Sequence, residues 1–106
     1  MSEQTSEHLT AMNRLILRRI VQLDSQARQL ESDDLDEQAV DLREEVCQLV
    51  QDHLGENHPW RVSRLFELAA TCRRSGAVIR AEEIYRDLIR RLEERQGEEP
   101  LDYAAA

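Results

Sequence analysis

Shifted against itself by 42 residues, the 106-residue chain sets apolar positions on apolar positions along two consecutive segments. Ile20, Leu23, Ala27 and Leu30 fall on Val62, Leu65, Ala69 and Cys72. Ala39, Leu42, Val46, Cys47 and Val50 fall on Ala81, Ile84, Leu88, Ile89 and Leu92, and Gly55 falls on Gly97. Two amphipathic helices aligned by chance would not also keep register through the connection between them. The chain is therefore expected to contain one two-helix unit twice.

Helical spacing carries the rest of the fold. From Glu7 to Leu30, the residues Leu9, Ile16, Leu23 and Leu30 recur seven apart, with Ile20 and Ala27 between them. Leu15, Leu17 and Val21 add a second apolar face, which predicts a helix covered on two sides. The run Glu31-Ser32-Asp33-Asp34 reads as a solvated turn. A second helix is expected from Leu35 to Leu54, with Leu35, Ala39, Leu42, Val46, Leu49 and His53 on one face and Gly55 as its cap. Pro59 suits the first turn of a third helix, which runs to about Arg74 and buries Val62, Leu65, Leu68, Ala69 and Cys72. Ser75-Gly76 breaks the chain, and a fourth helix follows from Val78 to about Gln96, closed by Gly97 and Pro100. The expected class is all-α, with antiparallel helical hairpins stacked into a single domain over 1–106. The first hairpin spans 7–55 and the second 57–97, with a tail over 98–106.

Composition removes most rivals. With 3 Gly and 2 Pro there is too little punctuation for an all-β fold. No apolar run approaches the roughly 18 to 20 residues that span a bilayer, and the polar N-terminus does not read as a signal peptide, so a cytoplasmic location is expected. A formal charge of −8 repels phosphate backbones, which argues against nucleic-acid binding. The charge is uneven: residues 1–55 hold 5 Arg against 12 acids, and residues 56–106 hold 9 Arg against 10. Arg61, Arg64, Arg73, Arg74 and Arg80 cluster in sequence. They are expected on helix surfaces, paired with Glu82, Glu83, Glu93 and Glu94, or else as a basic patch for an acidic partner. Cys47 and Cys72 read as structural thiols. His8, His53 and His58 have no metal-ligand spacing, the acidic run lacks the pattern of a calcium loop, and no nucleophile elbow, phosphate loop or dinucleotide fingerprint occurs. No enzyme activity, small-molecule substrate, metal or cofactor is expected.

One stretch carries a family resemblance. Asn57-His58-Pro59 through Leu65, Leu68-Ala69-Ala70, Arg73-Arg74-Ser75-Gly76, and Ala81-Glu82-Glu83-Ile84-Tyr85 on to Gly97 resemble a tetratricopeptide repeat. The 42-residue period and the linker Leu54-Gly55-Glu56-Asn57-His58-Pro59 are similar to the kinesin-light-chain type. Ala69 and Ala81 are small where paired helices cross, Gly76 permits the turn, and Tyr85 fills the seam. The first unit departs from the pattern, with Asp34 in the place of Gly76, Arg43 in that of Tyr85 and Gln26 in that of Leu68. Aspartate tolerates a left-handed backbone, so the turn is expected to survive. Pro100-Leu101-Asp102-Tyr103-Ala104 resembles the opening of a third unit.

The resemblance implies a short superhelix whose first helices line a concave groove for a peptide or helix of a partner protein. Carried over by position, that groove holds Val21, Asp24 and Arg28, with Glu31, from the first unit and Ser63, Phe66, Ala70 and Arg73 from the second. Phe66 beside Arg73 suits an apolar residue followed by a carboxylate, unless it packs against a neighbouring hairpin or the N-terminal helix. The family's clamp for C-terminal carboxylates uses paired Lys and Asn, and Asp24, Arg28, Phe66 and Ala70 do not match it. Trp60 is expected to pack across the linker onto the preceding helix. Because two units are few for a repeat array, further cover is expected. Leu9, Met12, Leu15, Ile16 and Leu17 either fold back as a cap or meet a second copy. Self-association through Leu9, Met12, Ile16 and Ile20, giving a homodimer, is favoured over the cap.

Overall fold

The computed structural model describes the backbone of residues 2–98 and the side chains of residues 11–95. Four helices follow one another: α1 (Ser2–Ser32), α2 (Asp36–Leu54), α3 (Pro59–Ser75) and α4 (Val78–Glu98). Each packs against the next, and no strand occurs among the described residues. The chain is all-α, a stack of helical hairpins.

The duplication is visible in the backbone of the turns. Asp34 N–H donates to Glu31 C=O at 3.1 Å and Leu35 N–H to Leu30 C=O at 2.8 Å. Forty-two residues on, Gly76 N–H donates to Arg73 C=O at 3.2 Å and Ala77 N–H to Cys72 C=O at 2.8 Å. The pattern is that of a helix closed by one left-handed residue. Asp34 has φ 60° and Gly76 has φ 96°, so the aspartate takes the glycine's conformation. Small residues repeat likewise. Ala27, Ala39 and Ala69 are sealed and Ala81 nearly so, which lets the helix axes approach.

The start of α3 is built by its own residues. His58 Nδ1 accepts from Trp60 N–H at 3.1 Å, which satisfies one donor of the first turn, and Pro59 sits where a missing N–H costs nothing. Asp36 and Glu37 place negative charge on the first turn of α2.

Two apolar clusters hold the stack. Ile20, Leu23, Val46 and Val50 join α1 to α2, with Ile16, Leu42, Leu49, Leu54 and Trp60 against them. Trp60 thus packs across the linker as expected. Leu68, Cys72 and Ala81 join α3 to α4, with Val40, Cys47, Leu65, Ile84 and Tyr85 around them. Full burial of a large aliphatic side chain contributes roughly 1.5–3 kcal/mol.

Several expectations need correction. Helix α1 is one continuous helix over residues 2–32, so its N-terminal part does not fold back as a cap. Its second apolar face is uncovered at Leu15 and Val21, and half-buried at Leu17. His53 is exposed, because the buried stripe of α2 runs through Ala39, Arg43, Val46 and Val50. Gly97 does not end α4, which continues to Glu98: a glycine permits a stop without imposing one. Pro100 through Ala104 lie outside the described residues.

Candidate interaction surface

Where the first hairpin meets the second, an ion-pair network lies beside the apolar contacts of Trp60, Val40 and Cys47. Arg43 of α2 is almost sealed, and it donates to Glu31 at 2.6 Å, Glu67 at 2.8 Å and Asp24 at 3.4 Å. Asp24 also accepts from Arg64 at 2.7 Å. Glu31 accepts from Arg74 and, at 3.2 Å, from the Thr71 hydroxyl; Arg74 lies 3.7 Å from Asp36. Three helices are thereby tied together by charges that are each shared between partners, which is the condition under which burying them is tolerable.

This network corrects the groove expected from sequence. Asp24 is buried in ion pairs and is not part of a free groove, and Glu31 is held in the same way. The acidic run is accordingly not merely a solvated turn. The clustered arginines do not pair with Glu82, Glu83, Glu93 and Glu94. Arg64 and Arg74 hold the first hairpin, and Arg80 holds Glu44 at 2.7 Å. Carboxylates of the acidic first half of the chain are thus the partners of arginines from the second half.

The other groove residues are reachable. Val21, Arg28, Ser63 and Arg73 are exposed, and Ala70 is half-buried. Ser63 is engaged locally: its hydroxyl donates to Trp60 C=O at 3.0 Å and accepts from Arg64 at 3.1 Å. The Arg64 guanidinium also lies 4.8 Å from the Trp60 ring centre. Phe66 is 40% exposed, and its ring stands 6.0 Å from that of Tyr85 on α4. Phe66 is thus paired with an aromatic ring of its own hairpin.

The 42-residue equivalence explains what surrounds it. In the first hairpin, Asp24, Arg43 and Cys47 are buried or half-buried against α3, while Ile20 and Val50 belong to the α1–α2 cluster on which Trp60 of α3 packs. Their counterparts in the second hairpin are Val62, Phe66, Tyr85, Ile89 and Leu92. Ile89 is 54% exposed and Leu92 is 38% exposed. The surface that the first hairpin spends on its successor is open on the second, and it carries aromatic and aliphatic groups where the first carries a salt-bridged Asp and Arg. Sequence reasoning took Ile89 and Leu92 as part of the apolar stripe of α4, whereas both are exposed; Tyr85 is half-buried on the second cluster, in the seam where it was expected. The exchange of Asp24 and Arg43 for Phe66 and Tyr85 was the available signal.

The proposed self-association face is also divided. Ile20 is fully buried and Ile16 packs on the first cluster, so neither is available to a second copy. Met12 is exposed, whereas the Leu9 side chain lies outside the described residues.

Reactive groups are few. Burial pushes the Cys47 thiol up to about 12, against opposing charge from Arg61 and Arg43. Burial also raises Cys72, partly offset by Arg80. Among the described residues no group of three or more His, Cys, Asp and Glu side chains could hold a metal ion, and no helix is long and apolar enough to cross a membrane. No family model, no curated protein and no solved structure matches this chain. Fold and surface together define an all-α hairpin stack with an uncovered apolar and aromatic end face.

Proposed function

We propose that the chain is a non-enzymatic protein–protein interaction module, an adaptor or scaffold of the tetratricopeptide-repeat type, that binds a helix of a partner protein. The binding face is that of the second hairpin, with Val62, Phe66 and Arg73 from α3 and Tyr85, Ile89 and Leu92 from α4. Support comes chiefly from one observation: these residues are the repeat counterparts of a surface that the first hairpin buries against a helix, yet Phe66, Ile89 and Leu92 are substantially exposed. A face that packs a helix in one unit has the shape to pack one in the next. Exposed apolar side chains gathered on one face are also the usual mark of an interaction site. Phe66 with Tyr85 gives the aromatic anchor and Arg73 a rim charge for an acidic residue of the partner.

Capture from the source cell with the wild type, Phe66→Glu and Ile89→Glu tests this, with circular dichroism as the control for folding. The same partner should be retained by the wild type and lost from both variants at unchanged helicity. Equal retention by all three would refute the assignment.

Self-association through the N-terminal helix is the second reading, favoured by the exposure of Met12 and Leu15. Light scattering of Met12→Glu with Leu15→Glu decides it, since a dimer built on this face would dissociate.

A further inference from the structure

Arg61, on the first turn of α3, is only 8% exposed, and among the described residues no carboxylate pairs with it. Arg43, buried to a similar degree, is supplied with three. A desolvated guanidinium without a counter-ion is the unfavourable half of an ion pair. Arg61 is also one of the residues that line an open space beside it.

That space is a cleft of about 510 Å³ between the α2–α3 linker, the start of α3 and the last turns of α4. Four arginines line it, Arg61, Arg90, Arg91 and Arg95, against two carboxylates, Glu56 and Glu94. The described lining thus carries a formal excess of two positive charges, in a chain whose own net charge is −8. Arg90 and Arg91 are held by Asp87 at 2.5 Å and 2.9 Å. Arg91 also reaches Glu56 at 3.0 Å, so a carboxylate of the chain itself already sits on the rim. Arg61 and Arg95 have no ion-pair partner among the described residues. Two guanidinium forks across one concave space, neither with an ion-pair partner among the described residues, are donors for the oxygens of a dianion, and the volume suits a small molecule.

We propose that this cleft is a binding site for a small dianion whose charge lies on oxygen, a phosphate group or a pair of carboxylates, with Arg61 as its buried anchor and Arg95 at its rim. The cleft adjoins the Phe66 face at Val62, which lines both, but none of its four arginines belongs to that face, so the anion site stands whether or not a helix binds there.

Isothermal titration of the full chain with inorganic phosphate and, separately, with succinate at constant ionic strength tests the proposal and distinguishes the two chemistries. At least one should bind saturably, with a dissociation constant in the region of about 1 mM. Arg61→Met should weaken that binding roughly tenfold, the worth of a charge-assisted hydrogen bond, while keeping the helical spectrum. Arg95→Ala should weaken it to a smaller degree, and Glu56→Gln should strengthen it by releasing Arg91. Binding of neither probe, or affinity unchanged in Arg61→Met, would overturn the assignment. Should Arg61→Met not fold, unchanged affinity in Arg95→Ala would overturn it alone.

Discussion

Arg43 and Tyr85 stand 42 residues apart at the same place in successive hairpins, Arg43 5% exposed and bound to three carboxylates, Tyr85 half-buried beside Phe66. The pair shows how one unit, used twice, serves two ends. In the first hairpin the position faces another helix of the chain and is charged, so the contact is directional and fixes which helix packs there. In the second it is aromatic and half-buried, packed on the second cluster with its ring beside the exposed Phe66, which suits a surface that must gain area from an incoming partner.

Removing the charge at Arg43 tests the first half of this contrast. Arg43→Ala leaves Asp24 and Glu31 buried with fewer counter-charges and should cost about 3 kcal/mol, the scale of a broken buried pair. For a domain of this size that lowers the melting temperature by more than about 10 °C. Tyr85→Ala should cost about half as much, because its ring is only partly withdrawn from water. Thermal unfolding followed by circular dichroism gives both values, and a smaller loss at Arg43 than at Tyr85 would reverse the assignment.

The paired turns make an opposite-signed prediction. Gly76→Ala should destabilise by roughly 1–2 kcal/mol, because an L side chain at φ 96° is strained even though nothing lies within 4 Å of the added methyl. Asp34→Gly at φ 60° should be neutral or stabilising by about 0.5 kcal/mol, since relief of backbone strain is offset by freedom gained in the unfolded chain. Denaturant titration separates the two. A loss at Asp34→Gly matching that at Gly76→Ala would mean that the turns are not equivalent.

The thiols supply a pH dependence. Burial holds Cys47 near 12, against an ordinary value of 9.0. A group raised in the folded state favours folding below its unfolded value, and that contribution is lost as pH rises from 9.0 towards 12. Native protein at pH 8 should therefore label much more slowly with a disulfide reagent than unfolded protein, and stability should fall above pH 9. Cys47→Ala should flatten that alkaline loss. A steep loss persisting in the variant would place its cause elsewhere.

Much of this fold was legible because it rests on local rules. Helical spacing located four helices, the glycines at 55 and 76 closed two of them, and the 42-residue shift exposed the duplication. What misled was the treatment of charge and of faces. Asp24 reads as a surface residue until Arg43 and Arg64, distant in sequence, are brought to it. Ile20 reads as a free apolar face until α2 covers it. Ile89 and Leu92 read as packed positions because the 42-residue shift sets them on apolar Cys47 and Val50, and only the latter pair is covered. Periodicity gives the orientation of a face, whereas its cover depends on which helix comes next. The Arg61 cleft had no local signal, since its arginines come from α3 and the far end of α4.

The open face of the second hairpin is tested most directly by contact mapping in the source cell. A photo-reactive benzoylphenylalanine placed at Phe66 or at Ile89 should cross-link to a defined partner polypeptide, and the same group at exposed Gln22 on α1 should not. Equal labelling at Gln22, or no adduct from either site on the second hairpin, would contradict the proposal that this face receives a helix.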